Sequence, residues 1–160
     1  MSALRWQWSR FEDLSPGELY AAMKLRQRVF VVEQNCAYQD ADGRDAKAWH
    51  LLGWTLSADR EELVAYARVF EAGVRYDNEA SVGRIVTSPA SRGKGYGRLL
   101  MNEAVRRCVE LSPGAPIKLG AQMYLENFYR EFGFETVTSP YDEDRIMHVD
   151  MVRKPVRTRT

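Results

Sequence analysis

The chain has 160 residues, 45% of them apolar and 28% charged, with a formal net charge of +1. Those figures suit one soluble domain with a sizeable core and argue against wholesale nucleic-acid binding, so any phosphate recognition must be local. No apolar run is long enough to cross a bilayer, and residues 1–10 lack the basic start and apolar stretch of a signal peptide, so a cytoplasmic location is expected.

Trp6 and Trp8 alternate with polar residues and predict a first strand through about Phe11. Ser15, Pro16 and Glu18 read as a capped helix start; the helix turns Leu19, Ala22, Met23, Leu25 and Val29 inward and ends near Glu33. Residues 34–48 are polar, rich in aspartate and aperiodic, a length that in a compact domain tends to mark a functional loop. Residues 50–57 and 63–72 predict an antiparallel pair, and 80–87 a third central strand. A helix over 98–111 carries Leu100, Met101, Ala104, Val105 and Cys108 on one stripe, which makes Cys108 a small core residue. A strand at 117–121, a short helix at 124–132 ended by Gly133, and a final pair at 134–138 and 146–152 complete the order β-α-loop-β-β-β-α-β-α-β-β. The expected organisation is one domain, 1–152, and a flexible basic tail, 153–160.

Arg92-Gly93-Lys94-Gly95-Tyr96-Gly97 lies between a strand and a helix. Glycines at a helix start leave unpaired backbone N–H groups uncovered, and Arg92, Lys94 and Arg98 add positive charge, so the segment reads as an anion cradle, best suited to a pyrophosphate. The alternative, a glycine-rich turn that binds nothing, stays open on this segment alone. A P-loop is excluded because Gly97 is followed by Arg98-Leu99. The dinucleotide fingerprint fails because the spacing is G-x-G-x-G and the next strand ends without an acid. Cys36 with His50 is the only pair that could suggest thiol catalysis, and nothing else supports it. With no C-x-x-C and two isolated histidines, His50 and His148, no metal site is expected.

The spacing Arg92-x-x-Gly95-x-Gly97, with Asn127-Phe128-Tyr129 and Phe132-Gly133-Phe134 downstream, resembles the GNAT N-acyltransferase superfamily. The run from Leu25 through Arg26, Val29, Phe30, Glu33, Gln34, Asn35, Cys36 and Tyr38, then His50-Leu51-Leu52-Gly53-Trp54, is similar to its ElaA-like branch. The 29–34 stretch is also similar to acyl-homoserine lactone synthases, which share that fold. The resemblance implies a single-domain α/β (α+β) fold, a mixed central sheet with splayed strands flanked by helices, and direct transfer from acetyl-CoA to a primary amine without a metal. It further implies that Val86, Thr87 and Ser88 offer backbone groups to the pantetheine arm. Arg92, Gly93, Lys94, Gly95, Tyr96, Gly97 and Arg98 would hold the pyrophosphate, and Asn127 would contact the arm. Tyr129 would be the general acid for the leaving thiolate, and the Val86 N–H the oxyanion donor.

The acceptor side is expected at the first helix end and the long loop. An ammonium must lose a proton before it attacks, and Glu33 is the expected base, with His50 as a second catalytic candidate that could equally be a hydrogen-bonded structural histidine. Tyr38, Asp40, Asp42, Asp45 and Arg84 are candidate acceptor-binding residues, although the aspartates also suit a solvated loop. Where many family members place a glutamate base, this strand carries Arg84, which stays protonated. The expected partner is an amine-bearing small molecule or peptide, with neither nucleic acid nor membrane. Trp6 and Trp54 could cover a homodimer face or pack internally. An acyl-CoA-binding sensor without turnover, or a transferase for a longer acyl chain, are the alternatives.

Overall fold

The computed structural model describes residues 4–156. Strands β1 (Arg5–Arg10), β2 (Trp49–Ser57), β3 (Arg60–Phe70), β4 (Ala80–Thr87), β5 (Ile117–Gln122), β6 (Phe134–Thr136), β7 (Tyr141–Glu143) and β8 (Ile146–Arg153) form one mixed sheet. Its order is β1-β2-β3-β4-β5-β8-β6, with β7 paired to β8. Every neighbouring pair is antiparallel except β4–β5. Helix α1 (Pro16–Arg26) covers one face. Helices α2 (Tyr96–Leu111) and α3 (Glu126–Arg130) cover the other.

β3 explains the layering. Leu63 through Phe70 is buried on both sides, as a strand with helices on both faces must be. Ala65, Ala67 and Val69 meet Leu100, Met101 and Ala104 of α2, while Tyr66 faces Leu25 and Val29 on the α1 side. Cys108 belongs to the α2 core, and burial pushes its thiol up to about 12, which leaves it inert. α1 starts as its sequence dictates, with Ser15 accepting from the Glu18 N–H and the Glu18 carboxylate accepting from the Ser15 N–H.

Two elements differ from the expectation. The first helix does not stay α-helical to Glu33: Gln27–Glu33 is a π-helix, closed by i→i−5 bonds from Gln34 N–H to Val29 O (3.0 Å) and Cys36 N–H to Val31 O (3.0 Å). The wider turn keeps Val29 in the core while Val32 becomes exposed. The final strand pair is really three strands. β7 and β8 form a tight hairpin through Asp144 and Arg145, both at positive φ, and β6 is confined to the far end of β8. β8 runs on through Arg153, whose guanidinium donates to Phe132 O (3.0 Å). The last residues of the basic tail, 157–160, lie outside the described residues. Trp6 and Trp54 both pack within the chain, and the Trp54 indole N–H donates to Gln7 (2.9 Å). Among the described residues no helix is long and apolar enough to cross a membrane.

Gly53 lies under Trp6, and a Cβ there would sit 2.8 Å from the indole and 3.1 Å from Ala65 Cβ. Gly53→Ala is therefore expected to destabilise the protein by about 1–3 kcal/mol, seen as a lower urea midpoint at unchanged slope.

Candidate active site

β4 and β5 run parallel but pair only at Ala80–Ile117 and Ser81–Lys118, then separate. From Val82 onward β4 presents an unpaired backbone edge to a cleft of about 640 Å³. A bulge in β4 sets which groups meet it. Between Tyr66–Val86 and Arg68–Gly83 the register gains one residue, and Arg84 takes a left-handed φ of 50°. The insertion turns Val86 to the α1 side of the sheet, whereas Val82 faces α2.

Val86 and Thr87 line the cleft, but Ser88 does not. Ser88 is buried; its N–H donates to Val64 O (2.8 Å) and its carbonyl accepts from Ser91 N–H (2.9 Å). Antiparallel alternation then turns the Val86 N–H toward Tyr66 and the Thr87 N–H toward the gap.

At the end of β4 the glycine loop enters α2. Gly93 (φ 83°) and Gly95 (φ 79°) are left-handed, and an added Cβ at either would meet open space, so the loop backbone is uncovered. Gly95 caps α2 with no side chain satisfying the first-turn N–H groups. Arg92 and Lys94 are exposed here. Tyr96 is buried in the core, and Arg98 is held by Glu131 (3.1 Å), so these two point away from the open side of the loop.

On the α1 side the aspartate loop is folded onto the sheet by three arginines. Arg26, fully buried, donates through Nε to Asp40 (2.7 Å) and through Nη1 to Asp45 (2.8 Å). Arg68 donates to both Asp42 oxygens (2.8 and 2.9 Å) and to Asp45 (3.0 Å). Arg84 lies 2.8 Å from Asp40 Oδ1, which also accepts from the Tyr38 hydroxyl (2.7 Å). Burial works to raise the Asp42 and Asp45 carboxyls, but the arginine hydrogen bonds and charges outweigh it, holding Asp42 well below the usual range and lowering Asp45 as well. Three carboxylates meet three guanidinium groups, so the loop offers little net negative charge to a cationic ligand.

His50 is buried behind this cluster, away from the cleft lining. Its Nε2 is 2.9 Å from Asp45 O and its Nδ1 2.7 Å from the Tyr66 hydroxyl. A carbonyl can only accept, so Nε2 carries the proton and Nδ1 accepts from Tyr66. Burial pushes the His50 pKa down and keeps it neutral. Glu33 lines the cleft, half-exposed, 2.6 Å from Arg92. Asn127 is exposed, with its side chain accepting from Arg130 (2.6 Å), and does not line the cleft.

Tyr129 packs in the α2-side core against Phe128 and Phe134, and its ring borders the cleft. Among the described residues no hydrogen bond acts on its hydroxyl. Burial, with Tyr124 nearby, pushes its pKa above the ordinary tyrosine value, so it stays protonated at neutral pH. Gln122, Tyr141 and His148 from β5, β7 and β8 line the same cleft. The Gln34 and Gln122 amides exchange hydrogen bonds (3.2 and 3.4 Å), and Cys36 Sγ donates to Asp144 O (3.1 Å), tying the π-helix end to the β5–β8 side of the opening. Sequence reasoning missed Arg26 and Arg68, although each announced itself as a charge on an otherwise apolar, buried stripe.

A splayed parallel pair, a bulged strand and an uncovered glycine loop at a helix start define the N-acyltransferase class. The acetyltransferase (GNAT) domain model matches residues 48–155, and the chain belongs to the GNAT family. It is similar to protein ElaA of Escherichia coli K12, 42% identical over 156 residues, 96% of this chain and 99% of that protein. The ElaA crystal structure superposes with a TM-score of 0.85 over 94% of this chain and 99% of that one. An acyl-CoA N-acyltransferase from Pseudomonas aeruginosa is 39% identical with a TM-score of 0.86 over 94% and 99% of the two chains. An aminoglycoside 6′-N-acetyltransferase complexed with coenzyme A (14% identity, TM-score 0.67, 96% and 99% coverage) shares the fold.

Removing one partner of the buried cluster leaves an uncompensated charge, so Arg26→Met is expected to destabilise the protein by about 3–5 kcal/mol in urea melts at neutral pH. Asp42 and Asp45 have folded pKa values below their unfolded ones. Their contribution is therefore full above an unfolded pKa of about 3.9 and lost as pH falls below it, and thermal melts should show a steep decline there.

Proposed function

We propose that the protein transfers an acetyl group from acetyl-CoA directly to a primary amine on a small molecule or peptide. The observation that carries this reading is the β4–β5 gap, with the uncovered glycine loop at its end and Tyr129 at its edge. The pyrophosphate suits the backbone of residues 93–97 with Arg92 and Lys94, where helix-start N–H groups and two exposed cations converge. The pantetheine amides suit the free edge of β4 at Val86 and Thr87. The Thr87 N–H is the donor turned toward the gap, and we assign it to the thioester oxygen in place of Val86. Tyr129 is the proton donor to the departing sulfur: protonated by its burial, it has no competing acceptor and gives up its proton only as charge develops beside it.

On the acceptor side, Tyr38 and Arg84 form a wall of the cleft, with Asp40 holding both from behind. His50 serves this wall as a positioning residue through Asp45 and Tyr66. Glu33 holds Arg92 at the mouth of the donor loop. Arg84, standing where a glutamate base is common, favours one competing reading, a sensor that binds acyl-CoA without turnover. Thiol release from acetyl-CoA across a panel of amines, peptides and aminoglycosides decides between them, since a sensor binds coenzyme A by calorimetry and releases no thiol with any acceptor.

Gly95→Glu puts bulk and negative charge into a left-handed position of the cradle and should abolish calorimetric coenzyme A binding. Unchanged affinity would remove the pyrophosphate assignment. Tyr129→Phe should lower kcat by about 10²-fold or more with coenzyme A affinity within a few-fold of wild type.

A further inference from the structure

We propose that His148 is the general base that takes the proton from the attacking amine, a role that rests on the acyl-transfer reading above. His148 lies on the α1-side face of β8, opposite to Val149 and Met151, which are in the α2-side core. It is cross-strand from Gln122 at the very end of β5, so its ring stands where β5 has left β4. Its side chain is only 12% exposed and borders the same cleft as Tyr129.

The ring is oriented from both sides. Nδ1 lies 2.7 Å from Ile146 O; a carbonyl only accepts, so Nδ1 carries the proton and Nε2 presents its lone pair. Tyr141 of β7 stacks on the ring at 6.0 Å and 21° between planes, and the Tyr141 hydroxyl is fixed in turn by Asp150. The Glu143 carboxylate, 3.6 Å from Nε2 and half-exposed, stabilises the imidazolium once the proton arrives. The two histidines thus have opposite tautomers. His50 spends both nitrogens on hydrogen bonds within the protein, while His148 Nε2 makes none and has only the Glu143 carboxylate beside it at 3.6 Å.

The charged and titratable groups directly against His148 are Glu143 and Tyr141 on β7. The same cleft is also lined by Asp144 and Asp150, by Glu33, Cys36 and Tyr38, by Asp42, Arg44, Arg68, Arg75, Tyr76, Arg84 and Arg92, and by Tyr124 and Tyr129. Of these, Tyr141, Asp150 and Cys36 are engaged within the protein and Glu33 is paired with Arg92. In the reaction the amine nitrogen bonds to the acyl carbon and the carbon–sulfur bond breaks. The amine proton goes to His148 Nε2 and the Tyr129 proton to the thiolate; proton exchange with solvent resets both residues.

Two measurements test this. In wild-type protein, imidazole nitrogen chemical shifts should show His50 as the Nε2–H tautomer and His148 as the Nδ1–H tautomer; an Nε2–H tautomer for His148 overturns the proposal without recourse to activity. His148→Gln should bind coenzyme A within about twofold of wild type and lose about 10²-fold in kcat/KM for the amine at neutral pH. The loss should shrink as pH rises, because an amine already deprotonated needs no base. A loss of equal size at every pH marks a structural role and overturns the proposal, as does full activity. If wild type binds coenzyme A but acetylates nothing in the panel, the acyl-transfer reading falls and this base falls with it; turnover by wild type and His148→Gln alike removes the base alone.

Discussion

The ion cluster of Arg26, Arg68 and Arg84 with Asp40, Asp42 and Asp45 is the constraint on which the acceptor half of the molecule depends. Burying charges is costly even when they are matched, so the cluster is poor evidence for stability in itself. What it supplies is geometry. A fifteen-residue aperiodic segment has no hydrogen-bonded ladder of its own, and the arginines, projecting from α1, β3 and β4, give it three fixed anchors. Through Asp45 the cluster also seats His50, and through Asp40 it seats Tyr38.

The donor half depends on a different constraint, the short pairing of β4 with β5. Two register positions join the strands before they part, and the bulge at Arg84 then sets which side chains and which N–H groups face the gap. Arg84 is thus the residue inserted into the strand that carries the donor edge and one of the three anchors of the acceptor loop. A positive φ at a residue with a Cβ is strained, and its ion contacts and its place over Tyr38 hold it there.

Much of the fold was legible in the sequence because local chemistry agreed with the tertiary outcome. The capping box at Ser15 and Glu18, the two apolar faces of β3 and the stripe on α2 each pointed to the element that formed. The glycine loop was legible for the same reason: its backbone freedom is a property of the residues themselves. The π-helix was not, because Gln27 to Glu33 has no proline or glycine to announce a change of pitch. The short β7 hairpin was hidden because its turn uses Asp144 and Arg145 where asparagine and glycine are usual. The aspartates of the long loop looked solvated, since nothing in a linear sequence joins residues 40–45 to arginines at 26, 68 and 84. Seen in reverse, Arg68 within a run of apolar strand residues was the clue, for a charge there needs a counter-charge from elsewhere.

The end of the π-helix carries its own consequence. Glu33, Gln34 and Cys36 each reach a different element, the glycine loop, β5 and the β7–β8 turn, and each does so through a single residue, Gln34 by an exchanged amide pair and the other two by one polar contact. Such contacts contribute on the order of 1 kcal/mol apiece, against the buried Leu63–Phe70 stretch of β3 beneath them. Resistance to opening in this protein is therefore graded across the cleft: the buried floor is tied into the whole sheet, whereas the rim rests on a few polar contacts whose loss leaves the sheet pairing untouched.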